Sequence, residues 1–135
     1  MSDTASVLFV NDAFYDAFRT RDLVTMDRLW SRRAAVACIH PGWQPLSGRE
    51  EVMKSWEGIL GGGEAPEIFC LEPKAHIIGA TAFVVCYEQI GSGVLVATNI
   101  FVKEGDDWRL VHHQAGPCNA EAVEVEADDD EDDYQ

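Results

Sequence analysis

From residue 67 onward the chain is a succession of strand-like apolar runs separated only by turn residues. The runs lie near 67–72, 74–79, 81–90, 94–103 and 107–115. The breaks are Pro73, Gly79-Ala80, Gly91-Ser92-Gly93 and Glu104-Gly105-Asp106. The last two are short glycine-containing links of the kind that close hairpins. Consecutive hairpins make an antiparallel meander. The segments ahead of it read as helices, so the order indicates an α+β fold with helices packed on one face of a sheet.

The leading helices follow from spacing. Val7, Val10, Phe14 and Phe18 fall on one helical stripe, and Asp3 or Thr4 can cap its start. A break near Thr20-Arg21-Asp22 lets Asp22 cap a second, short helix whose buried side carries Leu23, Met26, Leu29 and Trp30. Residues 34–40 read as a strand that stops at Pro41-Gly42. Ser47-Gly48-Arg49-Glu50 has the hydroxyl and carboxylate spacing of a capping box. The helix it opens shows Val52, Trp56 and Ile59 on one face and ends at Gly61-Gly62-Gly63. That glycine run closes a helix and is followed by no Lys-Ser/Thr, so it is not a phosphate loop.

At 135 residues the chain makes one domain with a tail. Net charge is −14, but residues 121–135 hold nine acids and no base. The division expected is a folded domain over 1–118 and an acidic, disordered tail over 119–135, because a self-repelling run cannot bury enough apolar surface to order itself. The tail reads as a solubilising extension or as a contact for a basic partner. Direct nucleic-acid binding is disfavoured, since phosphate contact needs clustered Lys and Arg. No apolar run is long enough to span a membrane and no signal peptide is recognisable, so a cytoplasmic protein is expected. Cys38, Cys70, Cys86 and Cys118 form no CxxC pair and read as small buried residues there.

The chain resembles the SnoaL-like branch of the nuclear transport factor 2-like (NTF2-like) superfamily. The residues that carry the likeness are Phe14-Tyr15-Asp16-Ala17-Phe18, Asp22, Met26 and Leu29-Trp30, then His40-Pro41-Gly42-Trp43, Gly48, Val52, Ser55-Trp56 and Ile59. Thr98-Asn99 and Trp108-Arg109-Leu110-Val111-His112-His113 complete them. The resemblance runs over about residues 8–117. It implies a cone-shaped fold, with a curved antiparallel sheet wrapped round the helices and a pocket at the open end. It also implies a homodimer formed through the outer face of the sheet. It implies no single activity, so function has to be argued from the site.

Alternation along strands selects the candidate residues. Side chains two apart share a face, so Trp108, Leu110, His112 and Gln114 stand together, and Arg109, Val111, His113 and Ala115 oppose them. Both faces read apolar, so alternation leaves open which histidine looks into the pocket; His112 is chosen because it shares a face with Trp108 and Leu110, which puts His113 nearer the dimer surface. Two adjacent strand histidines cannot serve one metal ion, and no HxH or HExxH spacing is present; neither metal nor cofactor is expected. His40 ends its strand at the cavity mouth, Trp43 could close the cavity, and Trp56 could line it or simply pack the core. Glu88 shares a face with Val84 and Cys86, where burial would raise its pKa into the range useful for a general acid or base. Asn99 could donate to a carbonyl oxygen, Tyr87 supplies a further donor, and His40 or His112 could carry a proton.

These residues point to a small-molecule-binding domain with an apolar pocket, its ligands touching His40, Trp43, Trp56, Tyr87, Asn99 and His112. Two alternatives stand beside it. One is an acid–base enzyme, an isomerase, cyclase or hydratase of an apolar carbonyl compound, using Glu88 with His112 or His40. The other is a dimeric protein-interaction module.

Overall fold

The computed structural model describes residues 1–63 and 67–123. Two N-terminal helices, α1 (Asp3–Thr20) and α2 (Leu23–Leu29), precede β1 (Ala37–Ile39), β2 (Leu46–Ser47) and α3 (Arg49–Leu60). Four long strands follow: β3 (Ile68–Ile78), β4 (Thr81–Ile90), β5 (Gly93–Glu104) and β6 (Asp107–Pro117). All six strands form one sheet in the order β2-β1-β6-β5-β4-β3, curved round the helices into a cone. The expected acidic tail falls mostly on residues 124–135, which lie outside the described residues.

The hairpins at Gly79-Ala80, Gly91-Ser92 and Gly105-Asp106 stand where the glycines indicate, and β3 to β6 are a continuous antiparallel meander. Two features depart from the expected pattern. Short β1 pairs in parallel with β6, Ala37 opposite His112, a contact between segments seventy-odd residues apart that no local signal announces. The runs on either side of Pro73 are one strand, not two. The ladder shifts register between Leu71 and Lys74, and Glu72 takes a left-handed φ of 54°. Because β3 is an edge strand, a bulge carrying proline costs it little of the ladder.

The caps are local chemistry. Ser2, one position before the expected residues, accepts from Ala5 N at 3.1 Å. Asp22 caps α2 by accepting from Thr25 N at 3.0 Å. The box expected at Ser47 and Glu50 is displaced by one residue. Ser47 is still paired in β2, so Gly48, at φ 89°, becomes the cap, and Glu51 reaches back to accept from Ser47 N at 3.2 Å. Arg49 then donates to the carbonyls of Asp27, Trp30 and Ser31, the open end of α2, and so ties α2 to α3.

The core lies between the helices and the inner face of the sheet. Phe14, Met26, Trp30, Val52 and Trp56 are buried from the helical side, and Val84, Ala97, Phe101, Trp108 and Leu110 from the sheet. Trp56 meets Phe14 and Phe18 edge-on, at ring separations of 5.5 and 5.0 Å, which locks α3 against α1.

Candidate functional site

Strand alternation on β4 sends Ala82, Val84, Cys86 and Glu88 into the cone, each buried, while Val85 and Tyr87 face out. Glu88 is only 2% exposed. A carboxyl there needs partners, and α1 supplies one: the Tyr15 hydroxyl donates to Glu88 Oε2 at 2.5 Å. From β5, Asn99 Nδ2 donates to Asn11 Oδ1 at 2.8 Å and to the Tyr15 hydroxyl at 3.2 Å. Both amide hydrogens of Asn99 are therefore used, which leaves Asn99 Oδ1 as an acceptor. His113 Nδ1 lies 2.6 Å from that oxygen and must carry the hydrogen. The other ring nitrogen, Nε2, is then a bare acceptor, and it lies 3.8 Å from Glu88 Oε2.

Burial sets the protonation states. It pushes the Glu88 carboxyl up to about 7, an effect that the bond from Tyr15 partly offsets. It pushes the His113 imidazole down to about 3, with smaller contributions from His40 and His112. The same burial raises the Tyr15 hydroxyl well above its ordinary value, and a charge on Glu88 raises it further. At neutral pH His113 is uncharged. Its contact with Glu88 is an acid–base pair, not an ion pair.

A second group stands beside the first. His40, just past β1, is buried, and its Nε2 lies 2.9 Å from Ser55 Oγ. Ser55 donates its own hydrogen to Val52 O at 2.7 Å, so His40 Nε2 is the donor and Nδ1 is an acceptor, 3.9 Å from the Cys38 thiol. Burial lowers the His40 pKa to about 4, so this imidazole too is neutral. Its ring lies 4.8 Å from both Trp43 and Trp56, and 6.3 Å from His113. Trp43 is 47% exposed, so a path of aromatic rings runs from the surface inward to Glu88. Trp56 Nε1 finds no hydrogen-bond partner among the described residues. One bare imidazole nitrogen, His113 Nε2, and one indole N–H thus accompany an otherwise satisfied network.

The sequence-selected residues divide cleanly. Glu88, Asn99, His40 and Trp56 meet in the interior, and Trp43 stands at the rim. Tyr87 and His112 do not join them. Both project from the outer face of the sheet, half-buried. The choice of His112 over His113 is corrected by a bulge. Phe101 pairs with Leu110 and Ile100 with His112, so Val111 has no partner and is an extra residue in β6. The phase of alternation flips there, and Trp108, Leu110, His113 and Ala115 become the buried set.

Asn11, Tyr15 and Ser55 were not among the selected residues. Asn11 and Tyr15 had a signal: with Val7 they recur every four residues, so polar groups sit on the apolar stripe of α1. Among the described residues no three His, Cys, Asp or Glu side chains gather as metal ligands. A groove of about 610 Å³ between α2 and α3, lined by Leu23, Val24 and Met53 among others, shares no residue with the Glu88 network.

Comparison with known proteins agrees with this architecture. A family model described as the SnoaL-like domain matches residues 7–118. The structure of a candidate dehydratase of the NTF2-like family from Streptomyces avermitilis is 34% identical, covers 87% of this chain and 97% of its own, and superposes with a TM-score of 0.79. A candidate calcium/calmodulin-dependent protein kinase type II association domain from Thiobacillus denitrificans is 30% identical over 82% of this chain and 93% of its own, with a TM-score of 0.73. The F-box protein SKIP8 of Arabidopsis thaliana is 29% identical over 114 residues, 83% of this chain and 49% of that protein. The chain therefore spans about half the length of that relative.

Proposed function

Because the chain belongs to the SnoaL-like domain family, with its NTF2-like cone, we propose that it binds a small, largely apolar molecule at the Trp43–His40–Trp56 end of the cone. Glu88 and His113 then move a proton on that molecule. The observation that carries this reading is the buried Glu88 carboxyl, pushed up to about 7 and set 3.8 Å from a bare imidazole nitrogen. A carboxyl with that pKa is part protonated near neutrality and can act as acid or base.

The chemistry suits an apolar carbonyl compound. Glu88, ionised, takes a proton from the carbon next to the carbonyl, and the electron pair left behind moves onto the carbonyl oxygen as an enolate. Of the three buried indole donors without a partner among the described residues, those of Trp30, Trp56 and Trp108, the one assigned to that oxygen is Trp56 Nε1, whose ring packs on His40. Where the neighbouring carbon carries a hydroxyl, the enolate collapses to a double bond as the hydroxyl leaves, taking from Glu88 the proton it had removed, so that water departs and the carboxylate is restored. The Streptomyces relative bears the name of a candidate dehydratase, and this is the reaction class that name describes. Asn99 acts as a positioning residue, holding the His113 tautomer. The four cysteines are free thiols, which fits a cytoplasmic location.

The test is hydrogen exchange in D2O. A panel of 3-hydroxyacyl and enone compounds with hydrocarbon chains or rings is incubated with the protein and followed by NMR. Deuterium should enter at the carbon next to the carbonyl of at least one compound, and Glu88→Gln should slow it by about 100-fold or more. Exchange that is equal in the variant, or absent from the whole panel with nothing co-purifying by native mass spectrometry, overturns the reading.

A second reading concerns the outer face of the sheet. Val85 and Val96 are each 37% exposed there, next to Tyr87. Among the described residues no helix covers that face, and the Thiobacillus relative is named for association. Self-association through this face follows, and sedimentation velocity tests it: a dimer should form with rising concentration and be lost in Val96→Asp.

A further inference from the structure

Between Pro117 and Val123 the chain stays against the sheet. Cys118 Sγ lies 3.7 Å from the carbonyl oxygen of Val94, on β5. Further on, Val123 N donates to Gln89 Oε1 at 2.8 Å, and Gln89 Nε2 donates back to Val123 O at 2.5 Å. Glu88 points into the cone, so Gln89, its neighbour on β4, points out. Gln89 is nonetheless only 4% exposed, whereas Val85 and Val96 on the same face are open.

The pair of bonds is specific in kind. A primary amide offers one acceptor and one donor side by side, and here both engage the N–H and C=O of a single residue. That is the hydrogen-bonding pattern of one strand against another, made by a side chain. It reads backbone, not side chain: Val123 itself is 52% exposed.

We propose that the outer end of the β4–β5 hairpin is a docking surface for an extended peptide, that its occupant is the chain's own segment 119–123, and that this docking competes with a second copy for the same face. The competition rests on the self-association reading above. Gln89 and Val94 are each two residues from the open patch, next to Tyr87 and Val96, so the docked segment borders the surface a second copy would cover. Charge adds to the exclusion. Residues 121–135 carry nine acids, and docking holds their start against the face. Two copies meeting there bring both runs together, a repulsion that salt screens over about 10 Å at 0.1 M.

The experiment uses the full-length chain and three variants. Gln89→Ala removes both bonds. Val123→Pro removes the backbone donor. Val123→Ala keeps the backbone and changes only an exposed side chain. Sedimentation velocity gives the association constant at low and high salt, and hydrogen exchange gives the protection of the Val123 amide. Gln89→Ala and Val123→Pro should associate about five- to thirtyfold more tightly, the scale of one to two lost hydrogen bonds, and Val123→Ala should match the parent. The parent should also associate more tightly in high salt. A Val123 amide exchanging as fast in the parent as in an unstructured peptide overturns the docking. A protected amide with equal association constants in all four proteins overturns the competition. If none of the four associates at any concentration or salt, the self-association reading fails and the competition with it. Amide protection lost in Gln89→Ala then still establishes the docking.

Discussion

Glu88 Oε2 and His113 Nε2 face each other at 3.8 Å inside the cone, and burial has inverted their usual order of acidity. The carboxyl is pushed up to about 7 and the imidazole down to about 3. Over the pH range between, both are neutral, and the carboxyl holds the proton that an exposed imidazole would have taken. No opposite charge is needed for this. Two ionisable groups in one apolar interior each revert to the uncharged form, and for an acid and a base those reversions have opposite signs.

That inversion fixes how stability depends on pH. Glu88 keeps its proton in the folded protein up to about 7 but loses it near 4.5 when unfolded, so its contribution is complete below pH 4.5 and is lost as pH rises through 7. His40 and His113 run the other way. They are neutral when folded down to about 4 and 3, against 6.5 when unfolded, so their contribution is complete above 6.5 and is lost as pH falls. Subtracting the stability of Glu88→Gln from that of the parent isolates the carboxyl. Urea denaturation from pH 4.5 to 7 should show this difference falling by about 1.4 kcal/mol per pH unit. A flat difference would mean that Glu88 titrates normally.

Tyr15→Phe should raise the Glu88 pKa above about 7. The hydrogen bond from Tyr15 is what partly offsets the effect of burial, and a phenyl ring removes the donor while keeping the apolar surroundings. The variant should also lose about 1–3 kcal/mol of stability, the cost of leaving a buried acceptor unpaired. Carbon-13 NMR of the Glu88 carboxyl reads the first effect and urea denaturation the second. A pKa that moves down places the shared hydrogen on the wrong residue.

Most of the fold is local information. The stripe Val7-Phe14-Phe18, the glycine links and the acid at Asp22 each act over a few residues, and the helices and hairpins stand where those signals put them. Glu88 and Asn99 were legible for the same reason: a polar residue among apolar strand neighbours stands out against a period of two. The parallel contact of β1 with β6 was not legible, because it joins distant segments and a three-residue strand has no pattern of its own. The histidine choice failed for a different reason. Alternation is a count, and one unpaired residue at Val111 shifts every side chain after it by one face.

The bulge itself can be tested by deletion. Leu110 faces in, and without Val111 the next residues would be His112 facing out and His113 facing in. Removing Val111 should therefore regularise the ladder and leave His113 buried against Asn99. Imidazole chemical shifts should show His113 titrating at about 3, as in the parent. A His113 that titrates near 6.5 in the deletion variant would mean that the extra residue is required to hold the inward phase.

Trp56 and Trp43 both pack against His40 at 4.8 Å, yet they should respond to truncation in opposite ways. Trp56 is fully buried and touches Phe14, Phe18 and His113 as well, so Trp56→Ala empties a large space between α1 and α3. The expected loss is about 3–5 kcal/mol, read by urea denaturation. Trp43 is 47% exposed in a loop, and its indole meets the His40 ring edge-on. Trp43→Ala should cost no more than about 1 kcal/mol. Its effect should fall on His40, which becomes more hydrated, so the His40 pKa rises from about 4 toward 6.5. An unchanged His40 titration in Trp43→Ala would show that the indole does not shield the ring, and would remove Trp43 from the entrance assigned to it.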